Sequence, residues 1–430
     1  MFETFRNAWK IQDLRKRLLF TLLILVLFRL GSAVPVPYIS SEALDSMFSA
    51  GSMLNYLNMM SGGNLANCTI FALGVQPYIN ASIIVQLLCV AIPYLENLSK
   101  EGEQGRRKLT RITNYVGCGI ALVLSIGYFF VIRRMGALSY TEGGSQIFAA
   151  IVIVFCFTAG AQLVTWMGNQ IDDKGIGNGI SLLIFAGIVS RWSDVIGSVQ
   201  LLLAEAANGA PQYYVYLPVI VILALVAVVF VVILTNAERR IPVQYAKRVV
   251  GRKMYGGQNS YIPIKVNMTG VMPIIFASTI CGIPSLIGGF IPLESGSFWA
   301  NFFAVFNYTS PVYIVVYLLL IIAFNYFYVA IQYNPVDIAN QLRKNNGMIP
   351  GIRPGKPTSD FITKTLNKIT LVGALFLAIV AVLPIILGNV TGVSIQLGGT
   401  SLLIVVGVAL ETGRSLEGYM TARHHKGFLE

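Results

Sequence analysis

Residues that commonly catalyse reactions or bind metals are few in this sequence and lie far apart. The two histidines, His424 and His425, are adjacent in the terminal tail. The five cysteines lie in or beside apolar stretches without CxxC spacing, which indicates small packing residues rather than disulfides or metal ligands. No GxxxxGKS/T phosphate loop occurs, so ATP hydrolysis is not expected. We therefore predict no catalytic residue, no metal and no cofactor.

The elements that would position any functional residue are apolar helices. Of the 430 residues, 55% are hydrophobic and 12% are charged, whereas soluble domains average about 45–50% and about 25%. A helix needs roughly 20 mostly apolar residues to cross a bilayer, so we predict an all-α polytopic membrane protein with ten transmembrane helices. The predicted spans are residues 18–34, 74–95, 112–132, 147–168, 179–201, 213–234, 269–291, 311–333, 366–387 and 398–419.

Carboxylates are scarce in those spans. Asp194 and Glu411 lie towards the ends of two of them, and no carboxylate lies at a midplane. Ion-coupled transport usually needs an ionisable group near the midplane. The lack of a carboxylate there argues against a small-solute transporter with inverted repeats, which is kept only as the second hypothesis. A structural membrane scaffold is the third. The glycine-rich stretch DKGIGNGIS, residues 173–181, lacks the preceding strand of a nucleotide-binding fingerprint and is interpreted as a tight turn.

Lysines and arginines predict how the spans are oriented. Five precede the first span, five lie in residues 96–111, seven in 235–268 and six in 334–368, whereas residues 34–73 and 292–310 contain none. Basic residues concentrate in cytoplasmic loops, so both termini are predicted to be cytoplasmic. The same topology explains most of the net charge of +12.

The ten spans divide evenly into two halves, residues 1–205 and 206–430. An odd number of spans in each half reverses the second half relative to the first, which predicts inverted repeats with a functional path between them. The connector near residues 208–213 is the predicted hinge.

Seven stretches of the chain, taken in order and spread over nearly its whole length, resemble the SecY family, the central subunits of bacterial protein-conducting channels. They are SGGNLANCTIFALGVQPYINASIIVQLL, EGEQGRRKLTR, GIGNGISLLIFAGIV, RRIPVQYAKRVVGRK, IPIKVNMTGVMPIIFAS, PGIRPGKPT and GGTSLLIVV.

The resemblance implies a clamshell of two five-helix halves around an hourglass pore, with a plug helix and a lateral gate. Unfolded preproteins would cross the bacterial cytoplasmic membrane through the pore, and hydrophobic segments would leave sideways into lipid. The pore would be passive and driven by the SecA ATPase or the ribosome. Expected partners are the SecE and SecG subunits, signal peptides, nascent or unfolded secretory proteins and membrane lipid.

By the same resemblance, a hydrophobic ring closes the pore. Two pairs of its residues are spaced i,i+4 and so share a helix face, and a ring of apolar side chains can block ions by dewetting. The first member is valine where isoleucine is frequent, so a slightly wider ring is expected. The ring residues are Val75, Ile79, Ile180, Ile184, Ile275 and Ile404.

The lateral gate is predicted from two amides that match polar gate residues of the family. Gln86 lies in the second span and Asn267 at the start of the seventh. Amides paired across a seam would hold it closed only weakly, by about 0.6 kcal/mol each.

The long basic loops, residues 235–266 and 334–365, resemble the family's docking sites for SecA and the ribosome. Ile241, Val243 and Tyr245 alternate with polar residues, which predicts a strand of a hairpin. Arginines at the rim would bind ribosomal RNA phosphates through salt-sensitive contacts. The candidate contacts are Arg239, Arg240, Lys247, Arg248 and Arg353.

The half-apolar stretch at about residues 53–67 resembles the plug. Irregular backbone at membrane depth is tolerated inside protein or a watery cavity, which suits a stopper in an outer funnel. Its apolar residues would touch Ile79 and its neighbours, and a glycine pair would let it swing away. The predicted plug residues are Met53, Leu54, Leu57, Met60, Gly62, Gly63 and Leu65.

Overall fold

Helices cover most of each of the ten predicted spans. A computed structural model describes residues 2–40, 63–134, 136–139, 143–208, 211–245, 248–250, 253–255, 259–290, 297–306, 310–391 and 399–424. The helices are α1 (Phe2–Lys10), α2 (Gln12–Gly31), α3 (Gln76–Ala91), α4 (Pro93–Lys100), α5 (Glu103–Arg134), α6 (Gly143–Lys174), α7 (Gly179–Ser190), α8 (Trp192–Ala207), α9 (Tyr213–Asn236), α10 (Met272–Phe290), α11 (Phe298–Val305), α12 (Pro311–Gln332), α13 (Pro335–Lys344), α14 (Lys356–Thr391) and α15 (Gly399–His424). The strands are β1 (Glu238–Tyr245), β2 (Arg248–Val250), β3 (Lys253–Tyr255), β4 (Asn259–Lys265) and β5 (Gly347–Met348).

Six helical segments of the described chain are long and apolar enough to cross a membrane. A seventh is counted if α3 and α4 form one span, bent by 103°. Pro93, the first residue of α4, supplies no backbone N–H, which favours a break there. The count of ten spans stays a prediction, since α2, for example, carries Arg15, Lys16 and Arg17 within its first turns.

The apolar surface of the bundle is extensive. In α9, Val219, Leu225 and Ile233 are 45%, 62% and 59% exposed. Soluble monomers rarely expose contiguous apolar surface on this scale, so these side chains fit contact with hydrocarbon.

Three buried clusters organise the helices. One draws only on residues 36–161 and a second only on residues 231–403. The third lies between them and contains side chains from α2, α3, α6, α7, α10 and α15. The interior therefore has one core on each side and a shared centre, which we call the ring cluster.

A small sheet stands at one end of the bundle. β1 pairs antiparallel with β4 along its length and with β5 at Gln244 and Tyr245, in the order β4-β1-β5. Ile241 and Val243 are buried against α13 and α14, so the predicted hairpin strand is confirmed. We call β1, β4, β5, α13 and the first turns of α14 the sheet platform.

The first and last helices meet beside this platform. Ala8 of α1 and Leu14 of α2 form a buried cluster with Leu416 of α15 and Ile176. Both described ends of the chain therefore lie at the same end of the bundle.

Candidate functional site

The six predicted ring residues come together in the ring cluster. Each is only 2% to 7% exposed, and all belong to one continuous set of buried side chains. They enter it from four helices or helix starts, two in each half of the chain. They are Val75, Ile79, Ile180, Ile184, Ile275 and Ile404.

Close helix packing and an N-cap position the two ring residues of α7. Gly168 of α6 faces Ile180, and a β-carbon at Gly168 would lie 2.5 Å from Ile180 Cδ1. At the start of α7, the Asn178 side chain accepts a hydrogen bond of 3.0 Å from the Ser181 N–H. This N-cap fixes where α7 begins, and with it the direction of Ile180 and Ile184.

Phe71 is a member of the ring cluster that the sequence reasoning missed. It precedes Val75 by four residues and stacks on Phe28 of α2, with ring centroids 5.6 Å apart. The ring of Phe71 fills the space above Gly31, where a β-carbon would collide with it. The sequence signal that could have identified Phe71 was an apolar aromatic residue within a polar stretch.

The plug prediction is only partly within the described chain. Met53, Leu54, Leu57, Met60 and Gly62 lie outside the described residues. Gly63 has a φ of +85°, in the region that favours glycine. Leu65 is buried in the cluster of the first half, whereas Phe71, six residues further on, belongs to the ring cluster.

At the seam between the two halves, the predicted gate amide Gln86 pairs with a residue other than Asn267. The Tyr328 hydroxyl of α12 donates a hydrogen bond of 2.5 Å to Gln86 Oε1 of α3. Asn267 is buried, and its Oδ1 has no hydrogen-bond partner among the described residues. The structure therefore joins Gln86 to Tyr328 and not to Asn267.

Tyr328 was not predicted from the sequence. The available signal was a phenol deep in an apolar span, because such a hydroxyl usually finds a partner when buried. Its ring lies 5.2 Å from that of Phe276, which neighbours Ile275 in the ring cluster. The seam bond and the apolar ring are thus packed against each other.

A buried polar network anchors α12 within the second half. The Thr269 hydroxyl donates to Asn325 Oδ1 at 2.6 Å, and Asn325 Nδ2 donates to the Thr370 carbonyl at 3.1 Å. Satisfied buried networks rigidify the elements they join. The helix that carries Tyr328 is therefore held firmly on its own side of the seam.

The two predicted docking loops share the sheet platform, since β5 of the second loop pairs with β1 of the first. Arg239, Arg240 and Arg353 are exposed there. Lys247 lies outside the described residues, and Arg248 pairs through its backbone with Tyr255. The platform thus carries exposed basic residues from both loops at its surface.

Arg240 is held in a defined position on this surface. Its Nε donates to Glu238 Oε1 at 2.6 Å, and its guanidinium lies 4.8 Å from the Tyr261 ring centroid. The hydrogen bond that Arg240 donates to Glu238 raises the pKa of Arg240, so the cation stays charged at any physiological pH.

The chain is similar to known proteins in sequence and in fold. The family model for SecY matches residues 69–413. The protein translocase subunit SecY of Streptomyces galbus is 40% identical over 444 residues, covering 100% of both chains. The solved structure of a protein-conducting channel matches with a TM-score of 0.62 at 17% identity, covering 94% of this chain and 91% of that one.

A ribosome-bound channel is also similar. Sec61 in the canine ribosome–channel complex from the endoplasmic reticulum matches with a TM-score of 0.59 at 16% identity, covering 94% of this chain and 91% of that one. At these identities the structures establish a shared helical channel fold.

Proposed function

This chain belongs to the SecY family of protein translocase subunits, and from that premise we propose that its ring cluster is the closed constriction of a protein-conducting pore. The observation that carries the proposal is that ring residues from both halves form one buried apolar cluster. Such a ring blocks ions by dewetting and makes no sequence-specific contact, which suits many unfolded preproteins. The family consists of translocase subunits rather than catalytic enzymes.

The pore lies, in this proposal, between two inverted five-helix halves, residues 1–205 and 206–430. The separate buried clusters of the two halves support that division. The seam at Gln86 and Tyr328 would be the lateral gate, through which signal peptides and hydrophobic segments pass into lipid. The plug, about residues 53–67, would seal the pore next to Phe71, with the backbone of Gly63 as part of its hinge.

The sheet platform would be the docking surface for the SecA ATPase or the ribosome, which drive the passive pore. Its exposed arginines support contact with phosphates or acidic side chains. The platform and both termini would then be cytoplasmic and the chain a multi-pass protein of the bacterial cytoplasmic membrane. SecE and SecG would complete the channel.

Photocrosslinking from the ring tests this proposal. A photoreactive residue at Ile79 or Ile184 should crosslink to a secretory chain arrested in transit, because that chain must displace the ring. Ile151 of α6, which is 51% exposed, and Ile222 of α9, which is 59% exposed, are matched control isoleucines on the apolar outer surface.

Crosslinks at Ile79 and Ile184 without crosslinks at the two controls would support a central pore. Crosslinks confined to Ile151 or Ile222 would refute it, because the secretory chain would then run along the lipid face.

A further inference from the structure

Arg414 of α15 binds the root of the β1–β4 hairpin. Its Nη2 donates to the Thr235 carbonyl at 2.6 Å and to Asn236 Oδ1 at 2.7 Å. Thr235 and Asn236 end α9, two residues before β1 begins. The last carbonyls of a helix lack intrahelical partners and carry partial negative charge, so a guanidinium fits this position well.

The hairpin root is closed next to this contact. The Val266 N–H donates to the Ala237 carbonyl at 2.9 Å, and Glu238 pairs in register with Lys265. Partial desolvation lowers the pKa of Lys265, and the nearby Arg414 lowers it further. Both strands of the hairpin therefore converge on the place where Arg414 binds.

The opposite face of α15 contacts the first half of the chain. Thr412, Leu416 and Tyr419 recur at i, i+4 and i+7 and so share one face. Leu416 is buried with α1 and α2, and the Arg17 guanidinium lies 5.4 Å from the Tyr419 ring centroid. A β-carbon at Gly177 would lie 3.2 Å from the Thr412 hydroxyl.

One helix thus joins three parts of the molecule. Its end lies between the hairpin root and the first half, and Ile404 of the ring precedes Arg414 by ten residues on the same helix. Ten residues of α-helix span about 15 Å, and a helix transmits displacement along its axis as a rigid element.

We propose that Arg414 is a positioning residue that couples the sheet platform to the pore, so that a partner's load on β1 displaces α15 and with it Ile404. The inference rests on the proposed docking function of the platform. The coupling uses both hydrogen bonds, which hold the Arg414 side chain to the end of α9.

The test separates docking from opening in the complete channel with its partner subunits, reconstituted into vesicles. Ribosome binding is measured by flotation, and opening by the ion conductance that bound ribosomes induce. Arg414→Ala should bind ribosomes normally but lose about tenfold in induced opening, the usual effect of losing hydrogen bonds to a charged group.

Three further variants make the result specific. Arg414→Lys should recover part of the induced opening, because the lysine ammonium keeps the charge and can still donate hydrogen bonds but lacks the planar fork of the guanidinium. Asn236→Ala, which removes only the side-chain acceptor, should lower opening less and should not add to Arg414→Ala. Arg106→Ala, which changes an exposed arginine of α5 outside the sheet platform, is the matched control and should behave as wild type.

Normal induced opening in Arg414→Ala, or opening lost only in proportion to lost ribosome binding, would overturn the coupling role. If Arg414→Ala does not fold, Asn236→Ala decides, and wild-type opening there overturns the inference. Arg353→Glu should abolish binding itself; ribosome binding unaffected by Arg353→Glu would contradict the proposed docking surface instead.

Discussion

At the scale of single residues, the closed seam depends on a phenol and an amide. Tyr328 and Gln86 are 242 positions apart in the chain, and their side-chain oxygens lie 2.5 Å apart. A hydrogen bond between helices in a membrane contributes about 0.6 kcal/mol, at most about 1.7. In the proposed gate, such a contact would hold the seam closed yet be weak enough for an arriving apolar helix to replace.

Removing the Tyr328 hydroxyl should therefore ease lateral opening without unfolding the protein. Tyr328→Phe keeps the ring against Phe276 and removes the seam bond. We expect an increase of about threefold in the membrane insertion of a marginally hydrophobic reporter segment, as about 0.6 kcal/mol implies. The measurement is the ratio of inserted to translocated reporter.

Tyr326→Phe is the control for this change. It makes the same substitution on the same helix but removes a hydroxyl that donates to the Asn367 carbonyl at 3.2 Å, within the second half. Equal reporter ratios in both variants would argue against a gating role for Tyr328.

At the scale of elements, the seal depends on how closely the end of α2 approaches the chain before α3. Gly31 leaves the space that the Phe71 ring occupies, and Phe28 stacks on the other side of that ring. The aromatic side chain is thus fixed within the ring cluster by two positions of one helix. A shift of Phe71 would disturb the ring cluster directly.

Gly31→Ala should loosen the seal. The added methyl group collides with Phe71, and overpacking of a buried site costs about 1–3 kcal/mol. We expect a higher resting ion conductance of the purified channel in planar bilayers. Gly119→Ala on α5 is the control, because a β-carbon there meets nothing within 4 Å; a Gly31→Ala channel as tight as this control would contradict the role of Phe71.

At the scale of the whole molecule, the two halves have separate cores and share the ring cluster. The interface therefore carries both the apolar constriction and the seam bond. Under the proposed function, opening would separate the shared cluster while each half keeps its own core, which is the geometry of hinge motion between rigid bodies.

Linking the halves should stop transport. With the native cysteines replaced, Gln86→Cys and Tyr328→Cys joined by a short cleavable crosslinker should block translocation, and cleavage should restore it. The matched pair Tyr326→Cys and Asn367→Cys lies within the second half, so the same crosslinker should leave translocation intact. Unimpaired translocation through the Gln86–Tyr328 link would show that the seam does not move.

The sequence alone determined the features that depend on neighbouring residues. Apolar runs of about 20 residues predicted the helices, and alternation at Ile241, Val243 and Tyr245 predicted β1, because hydropathy and side-chain period are local properties. The family resemblance supplied the ring residues, all of which lie in one cluster. The structure does not contain the predicted pairing of the Gln86 and Asn267 amides. A position in the sequence does not specify the direction in which a side chain points across a helix interface.

Only the tertiary structure decided which distant side chains meet. The fold brought the Tyr328 hydroxyl of α12 to Gln86 of α3, the close approach at Gly31 placed Phe71 in the ring cluster, and β5 joined the two predicted docking loops. In the sequence, Arg414 is one more basic residue of the last helix. Only the fold places its Nη2 2.6 Å from the Thr235 carbonyl at the end of α9. Such contacts depend on how the helices pack in three dimensions. Because many of these helices have similar apolar faces, the sequence pattern alone is compatible with many different helix pairs.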